Sequence, residues 1–299
     1  MNAELLVDCR CTLGEGLQWN ARKQRLFWTD IQERKLYSCG PDGENLEVIE
    51  LPDRMGSFAF DPDGDLVAAF PNGLFRMAGD ARRAELLTEF EPDHPTSRLN
   101  DGRCDRSGQF VVGGIDENNF AKTSSLIRFT IGRTEVLRTG IGCTNSVCFS
   151  PDGTVMYFTD SGSRRIEAYD YDPNESLPAP RLFHEVPKED GVPDGSCVDA
   201  DGAVWNTRFY GGHVRQILPD GTVATRVDLP VPNITCACFG GPALDRLYVI
   251  TAREEMSAAQ LADAPLSGGL FVATPDAVGL PEVEFATSLY QGWNGHIPV

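Results

Sequence analysis

The chain has 299 residues, 41% of them hydrophobic and 23% charged, enough apolar side chain to bury a large core. Lys and Arg number 26 against 44 Asp and Glu; the net charge of −18 repels phosphate backbones and anionic lipid, which argues against nucleic acid or a membrane as partner. No apolar run reaches the roughly 18 residues of a membrane span, the start MNAELLVDCRCTLGEG carries no secretory leader, and nine cysteines in that context point to free thiols in a reducing, cytoplasmic compartment.

In chain order the strands repeat one unit: apolar strand, Asp/Pro/Gly turn, apolar strand. A short apolar segment, Leu5–Val7, comes first. LQWNARKQRLFWTD (17–30) is a loose copy, with KLYSCG and NLEVIE as two further strands. FAFDPDGDLVAAF (58–70) and GRCDRSGQFVVGG (102–114) are clean copies, the latter followed by SLIRFT and TEVLRT. VCFSPDGTVMYFTD (147–160), CVDADGAVWNTRF (197–209) and the looser ACFGGPALDRLYVITA (237–252) complete the set. Asp-Gly and Ser-Gly supply turns, and Val, Phe, Tyr and Trp the flanks.

The residues just before these turns, Trp19, Phe60, Cys104, Phe149, Val198 and Phe239, lie 41, 44, 45, 49 and 41 apart. An all-β period of about 40–50 residues marks a propeller. Six units of four antiparallel strands predict an all-β, six-bladed β-propeller filling residues 1–299 as a single domain. Leu5–Val7 is expected to supply the outer strand of the last blade. The one helix expected is Glu254–Ala262, with Ser257 as a candidate cap, an excursion at the rim of blade six.

Four residues before each turn anchor, where the inner strands begin, stand Glu15, Gly56, Asn100, Asn145, Asp194 and Thr235. Rotation about the propeller axis places equivalent positions in a ring at the channel mouth, and four of the six carry carboxylate or amide oxygens. Asn and Asp also cap strand entries and turns, and that reading competes. The stronger one is a divalent-cation site: two carboxylates neutralise the ion and two amide oxygens add neutral ligands. An all-oxygen shell suits Ca²⁺, Mg²⁺ or Mn²⁺, and carboxylates also admit Zn²⁺ or Fe²⁺. Crowding Glu15 against Asp194 with no cation would raise one pKa sharply. This gives a purpose to TLGEGLQW, where Glu15 stands between two glycines that let the backbone bend tightly.

The segments LGEG, SRLNDG, TNSVCFSPDG, YFTDS and PDGSCVDADG resemble the gluconolactonase, regucalcin and luciferin-regenerating-enzyme family across essentially the whole chain. Within it the sequence is most similar to bacterial aldonolactonases of sugar-acid pathways. The resemblance implies a channel-mouth metal held by Glu15, Asn145 and Asp194, with Arg98 and Asn100 binding substrate and Asn100 close to the metal. It also implies a substrate-contacting acid about 18 residues beyond Asn100, where this chain has Asn118 in the run Asp116-Glu117-Asn118-Asn119. Either the amide of Asn118 replaces that contact or Glu117 takes it over.

Lactone hydrolysis needs an electrophile for the carbonyl and a base for water. The cation serves as the first, Asp194 is the candidate base, and Arg98 orients the sugar. No G-x-S-x-G, H-E-x-x-H or G-x-x-x-x-G-K-[ST] motif is present. His94, His184, His213 and His296 lie off the ring, although His213 could reach the pocket rim. Cys9-x-Cys11 and Cys236-x-Cys238 lack zinc spacing and read as same-face strand pairs filling the core. Phe209 or Tyr210 could wall the pocket.

The leading expectation is thus a metal-dependent hydrolase acting on a pentono- or hexono-1,4-lactone such as L-arabinono- or D-galactono-lactone, as a monomer or weak homo-oligomer. An esterase or organophosphatase using the same site, or a calcium-binding regulatory or scaffold propeller, are the alternatives.

Overall fold

A computed structural model describes residues 1–78 and 83–287. β1 (Glu4–Val7) begins the chain. Blade one is β2 (Gly14–Asn20), β3 (Arg25–Asp30), β4 (Lys35–Cys39) and β5 (Glu47–Glu50); blade two is β6 (Ser57–Phe60), β7 (Leu66–Phe70), β8 (Gly73–Met77) and β9 (Ala84–Glu89). Blade three is β10 (Ser97–Cys104), β11 (Phe110–Asp116), β12 (Ser124–Thr130) and β13 (Arg133–Ile141); blade four is β14 (Thr144–Phe149), β15 (Val155–Asp160), β16 (Arg165–Asp170) and β17 (Arg181–Glu185). Blade five is β18 (Val192–Val198), β19 (Val204–Phe209), β20 (His213–Ile217) and β21 (Val223–Asp228). Blade six takes β22 (Ile234–Gly240), β23 (Arg246–Thr251), β24 (Leu270–Ala273) and then β1 on its outer edge. All neighbours pair antiparallel. Glu4 faces Val272 and Leu5 faces Phe271, so the expected ring closure is observed.

The recurring turn has a local cause. Asp61 Oδ1 accepts hydrogen bonds from the amides of Asp63 (2.9 Å) and Asp65 (3.0 Å), Asp105 does the same for Ser107 and Gln109, and Asp199 for Asp201 and Ala203. The glycine inside each turn (Gly64, Gly108, Gly202) has φ near +86°, the left-handed region that disfavours a side chain. The Asp/Gly repeat is therefore a device for turning the chain at the channel floor, away from the ring.

Blades adhere through apolar seams. Trp19 and Trp28 of blade one pack with Cys236, Cys238 and Tyr248 of blade six, and Phe27 meets Phe60 of blade two edge-on at 4.9 Å. Truncating a buried aromatic such as Trp19 costs about 3–5 kcal/mol. The helix differs from expectation: α1 spans Ala258–Asp263, and Glu254–Ser257 lie outside it. Ser257 and Gln260 form a capping box that starts the helix there, whereas Glu255 upstream has a left-handed φ of +60°. Cys9 and Cys11 also depart from expectation, because Arg10 between them has φ +53° and the segment is not strand.

Candidate metal centre at the channel mouth

Five of the six inner strands slip register at the ring. The slips fall at Glu15–Gln18, Leu99–Gly102, Asn145–Cys148, Pro193–Ser196 and Ile234–Cys236, while β6 pairs with β7 without one. Bulges re-aim side chains near functional sites, and here they act where the oxygen-bearing residues sit. Gly16 and Ser146, directly after Glu15 and Asn145, both take φ +60°. The strain at Ser146 is offset by its Oγ donating to the Asp194 carbonyl at 2.6 Å.

The two slots without acid or amide are structural. A Cβ on Gly56 would come within 2.6 Å of the Leu99 carbonyl, so only glycine admits β10 this close. Thr235 Oγ1 donates to the Gly14 carbonyl at 2.5 Å and is committed to joining blades six and one. Glu15, Asn100, Asn145 and Asp194 remain, all buried at 5–8% exposure.

Their hydrogen bonds separate them. Asn145 Nδ2 donates to Ser161 Oγ at 2.9 Å, which fixes the amide and leaves Oδ1 buried with no partner; Asp194 Oδ1 is likewise buried and unpaired. Asn100 Nδ2 donates to the Thr144 carbonyl at 2.9 Å, while its Oδ1 accepts from Arg98 Nη1 at 2.7 Å. Asn100 thus links the ring to Arg98. Burial, followed by the Asp194 and Asp101 charges, pushes the Glu15 carboxyl well above the usual range. Burial and then Asp101 do the same to Asp194, and burial raises Asp101 itself. Orphaned acceptors and mutually repelling buried carboxylates in one all-oxygen set fit a hard divalent cation.

Asp101 is a residue that sequence reasoning missed. Ordinary alternation turns the neighbour of Asn100 away from the ring, but β10 bulges here, and the buried carboxylate of Asp101 accepts from the Val147 amide at 2.9 Å and raises the pKa of both Glu15 and Asp194. Its signal was the NDG triplet itself.

Arg98 is 4% exposed, and its Nε donates to Glu117 Oε1 at 2.8 Å. Glu117 also takes a bidentate pair from Arg54 at 2.8 and 3.0 Å. Asn118 faces solvent, its backbone N–H donating to Asp116 Oδ1 and its Oδ1 accepting from Asn119 Nδ2, so Glu117, not Asn118, touches Arg98. The chain turns after Asp116, so Glu117 reaches Arg98 while Asn118 points to solvent. Buried His213, with Nδ1 2.6 Å from the Gly211 carbonyl, does not reach the rim, and His296 lies outside the described residues. Tyr210 is exposed and bonds Glu255, while Phe209 packs on Leu13, Ile31 and Ala252 beside the mouth.

These features define a class: six-bladed propellers whose channel mouth holds buried oxygen donors beside an anchored arginine. Residues 13–253 match the SMP-30/Gluconolactonase/LRE-like region, and the chain belongs to that family. It is 40% identical over 295 residues to an L-arabinolactonase of Azospirillum brasilense, covering 95% of each chain. It is 32% identical to a 6-deoxy-6-sulfogluconolactonase of Pseudomonas putida, covering 92% of this chain and 95% of the relative. Among solved structures, a calcium-binding regucalcin from Agrobacterium tumefaciens superposes with TM-score 0.90 at 30% identity, over 96% of this chain and 97% of the other.

Proposed function

We propose that the protein is a divalent-cation-assisted aldonolactonase that opens a pentono- or hexono-1,4-lactone, such as L-arabinono- or D-galactono-lactone, to the sugar acid. Its class is that of the carboxylic ester hydrolases, to which its lactonase relatives belong. The observation that carries the reading is the set Glu15, Asn145 and Asp194, two of whose buried oxygens have no partner, next to the anchored Arg98. These three residues hold the ion, Ca²⁺, Mg²⁺, Mn²⁺, Zn²⁺ or Fe²⁺, with Asn100 adjoining.

When bound, the cation supplies a Lewis acid that polarises the lactone carbonyl and stabilises the developing oxyanion. Asp194 accepts a proton from the attacking water as the new C–O bond forms. The ring C–O bond then breaks, and the same proton passes to the departing ring oxygen, which leaves as the hydroxyl of the product acid. Arg98, braced by Glu117 and Asn100, orients the sugar and spares the reaction the entropy of alignment. A scaffold propeller with a purely structural ion would need no such clamp. Among the described residues no helix is long and apolar enough to cross a membrane, and all nine cysteines are free, in keeping with a cytoplasmic setting.

The test is a pH-indicator assay of chelator-stripped protein on a panel of aldono-1,4- and 1,5-lactones, with each ion restored singly. Activity lost on stripping and regained with one ion supports the proposal. Folded protein that accelerates no lactone with any ion overturns it in favour of a binding propeller.

A further inference from the structure

We propose that Glu254, steadied by Gln32, forms the wall of the sugar pocket opposite Arg98 and accepts hydrogen bonds from substrate hydroxyls, so that the site selects polyhydroxylated lactones over bare ones. This rests on the lactonase reading above.

Glu254 follows β23 at the ring end of blade six, and its backbone is tied down on both sides. Its amide donates to the Thr12 carbonyl at 2.8 Å, three residues before Glu15, and its carbonyl accepts from Asn233 Nδ2 at 2.8 Å. Leu13 and Ala252 bridge beside it. The side chain is fixed as well: Gln32 Nε2, in the turn between β3 and β4, donates to Oε1 at 2.5 Å. Among the described residues Oε2 accepts no hydrogen bond. In a ring of six blades, blade six lies across from blade three, so a group anchored at the ring end of blade six stands across the mouth from Arg98.

The two walls are then complementary. Arg98 and Arg54 offer donors on one side and Glu254 an unpaired acceptor on the other, which suits a sugar hydroxyl that both accepts and donates. A lactone without hydroxyls leaves Glu254 to water, and sites built for a substrate hydroxyl discriminate strongly against analogues that lack it.

The test compares steady-state constants of the wild type, Glu254→Gln, Glu254→Ala and Gln32→Ala on L-arabinono-1,4-lactone and on γ-butyrolactone at near-molar concentration, each with the activating ion. Glu254→Ala is expected to raise KM for the arabinonolactone about 10-fold with little change in kcat, and to leave γ-butyrolactone unaffected. Glu254→Gln, which keeps an acceptor oxygen, and Gln32→Ala, which loosens the carboxylate, should give smaller KM increases. Equal losses on both lactones would assign Glu254 a structural role, and no change on either would remove it from the pocket; both outcomes overturn the inference. A wild type inert on every lactone would instead overturn the lactonase reading, and this inference with it.

Discussion

At the mouth of the central channel Glu15 and Asp194 are buried carboxyls, each raised in pKa by burial and by the charge of Asp101, and Arg98, which tempers Glu15, is already bonded to Glu117. At the floor the same inner strands bury Arg103 against Glu282, a pair strong enough to keep the guanidinium charged although burial works against it. The floor is closed by the segment 278–286: Gly279 bonds the Leu244 carbonyl, Phe285 that of Phe60, and Ala286 that of Gly108. What remains there is a cavity of about 20 Å³ lined by Cys148, Cys197, Phe239 and Glu282, too small for a sugar. Paired opposite charges mark the end that holds the ring together, and buried carboxyls without a countercharge of their own mark the other.

Four measurements break or sharpen that contrast, in descending order of expected effect. Asp194→Asn should lower kcat by about 10²–10⁴ while circular dichroism stays native; a full rate would remove Asp194 from the role of base. Glu282→Ala strands Arg103 without a partner and should cost about 3–5 kcal/mol in urea unfolding, with kcat of the folded fraction unchanged. If that variant lost rate rather than stability, the floor would belong to the active site and the contrast would fail. Cation at 100 times its Kd should stabilise the stripped protein by about 2.7 kcal/mol in calorimetry, and Glu15→Gln should abolish most of that gain.

The smallest effect belongs to Asp190, set back from the mouth between blades four and five and paired like the floor. Burial alone would raise its pKa, but Arg215, at 2.8 and 3.0 Å, with His213 and Arg208 beyond, carries it down to about 2. Because this lies below the unfolded value of about 3.9, the stabilisation is fully present above that value and disappears as pH falls towards 2. Asp190→Asn should remove about 1 kcal/mol at neutral pH after allowance for solvent screening, and flatten the acid limb of a Tm-versus-pH curve.

Much of this was written in the chain at a period visible to the eye. The Asp/Gly turns set the blade count, and stepping back four residues from Trp19, Phe149 and Val198 landed on Glu15, Asn145 and Asp194. Leu5–Val7 betrayed itself as a strand with no partner nearby in sequence. The rest depended on interruptions of the period. Asp101 sits inside the register slip of β10, where its carboxylate takes the Val147 amide instead of following the alternation. Glu117 rather than Asn118 meets Arg98 because the chain turns at Asp116. Glu254, absorbed into an expected helix, lies in an irregular segment whose course is set by Thr12, Asn233 and Gln32, contacts distant in sequence that no local pattern encodes.

The place of β1 in blade six has a consequence for synthesis. The strand is made before blades one to five, yet its partner β24 ends only at Ala273, so their pairing waits for all of them. Until β22 is made β2 has no neighbour across the seam, and the bond from Thr235 to Gly14, one residue before Glu15, cannot form. A nascent chain carries Glu15 and Asp194 on an open arc of blades. The oxygen set therefore comes together only when blade six closes the ring, and a cation held by it would be taken up by the closed ring rather than by the growing arc.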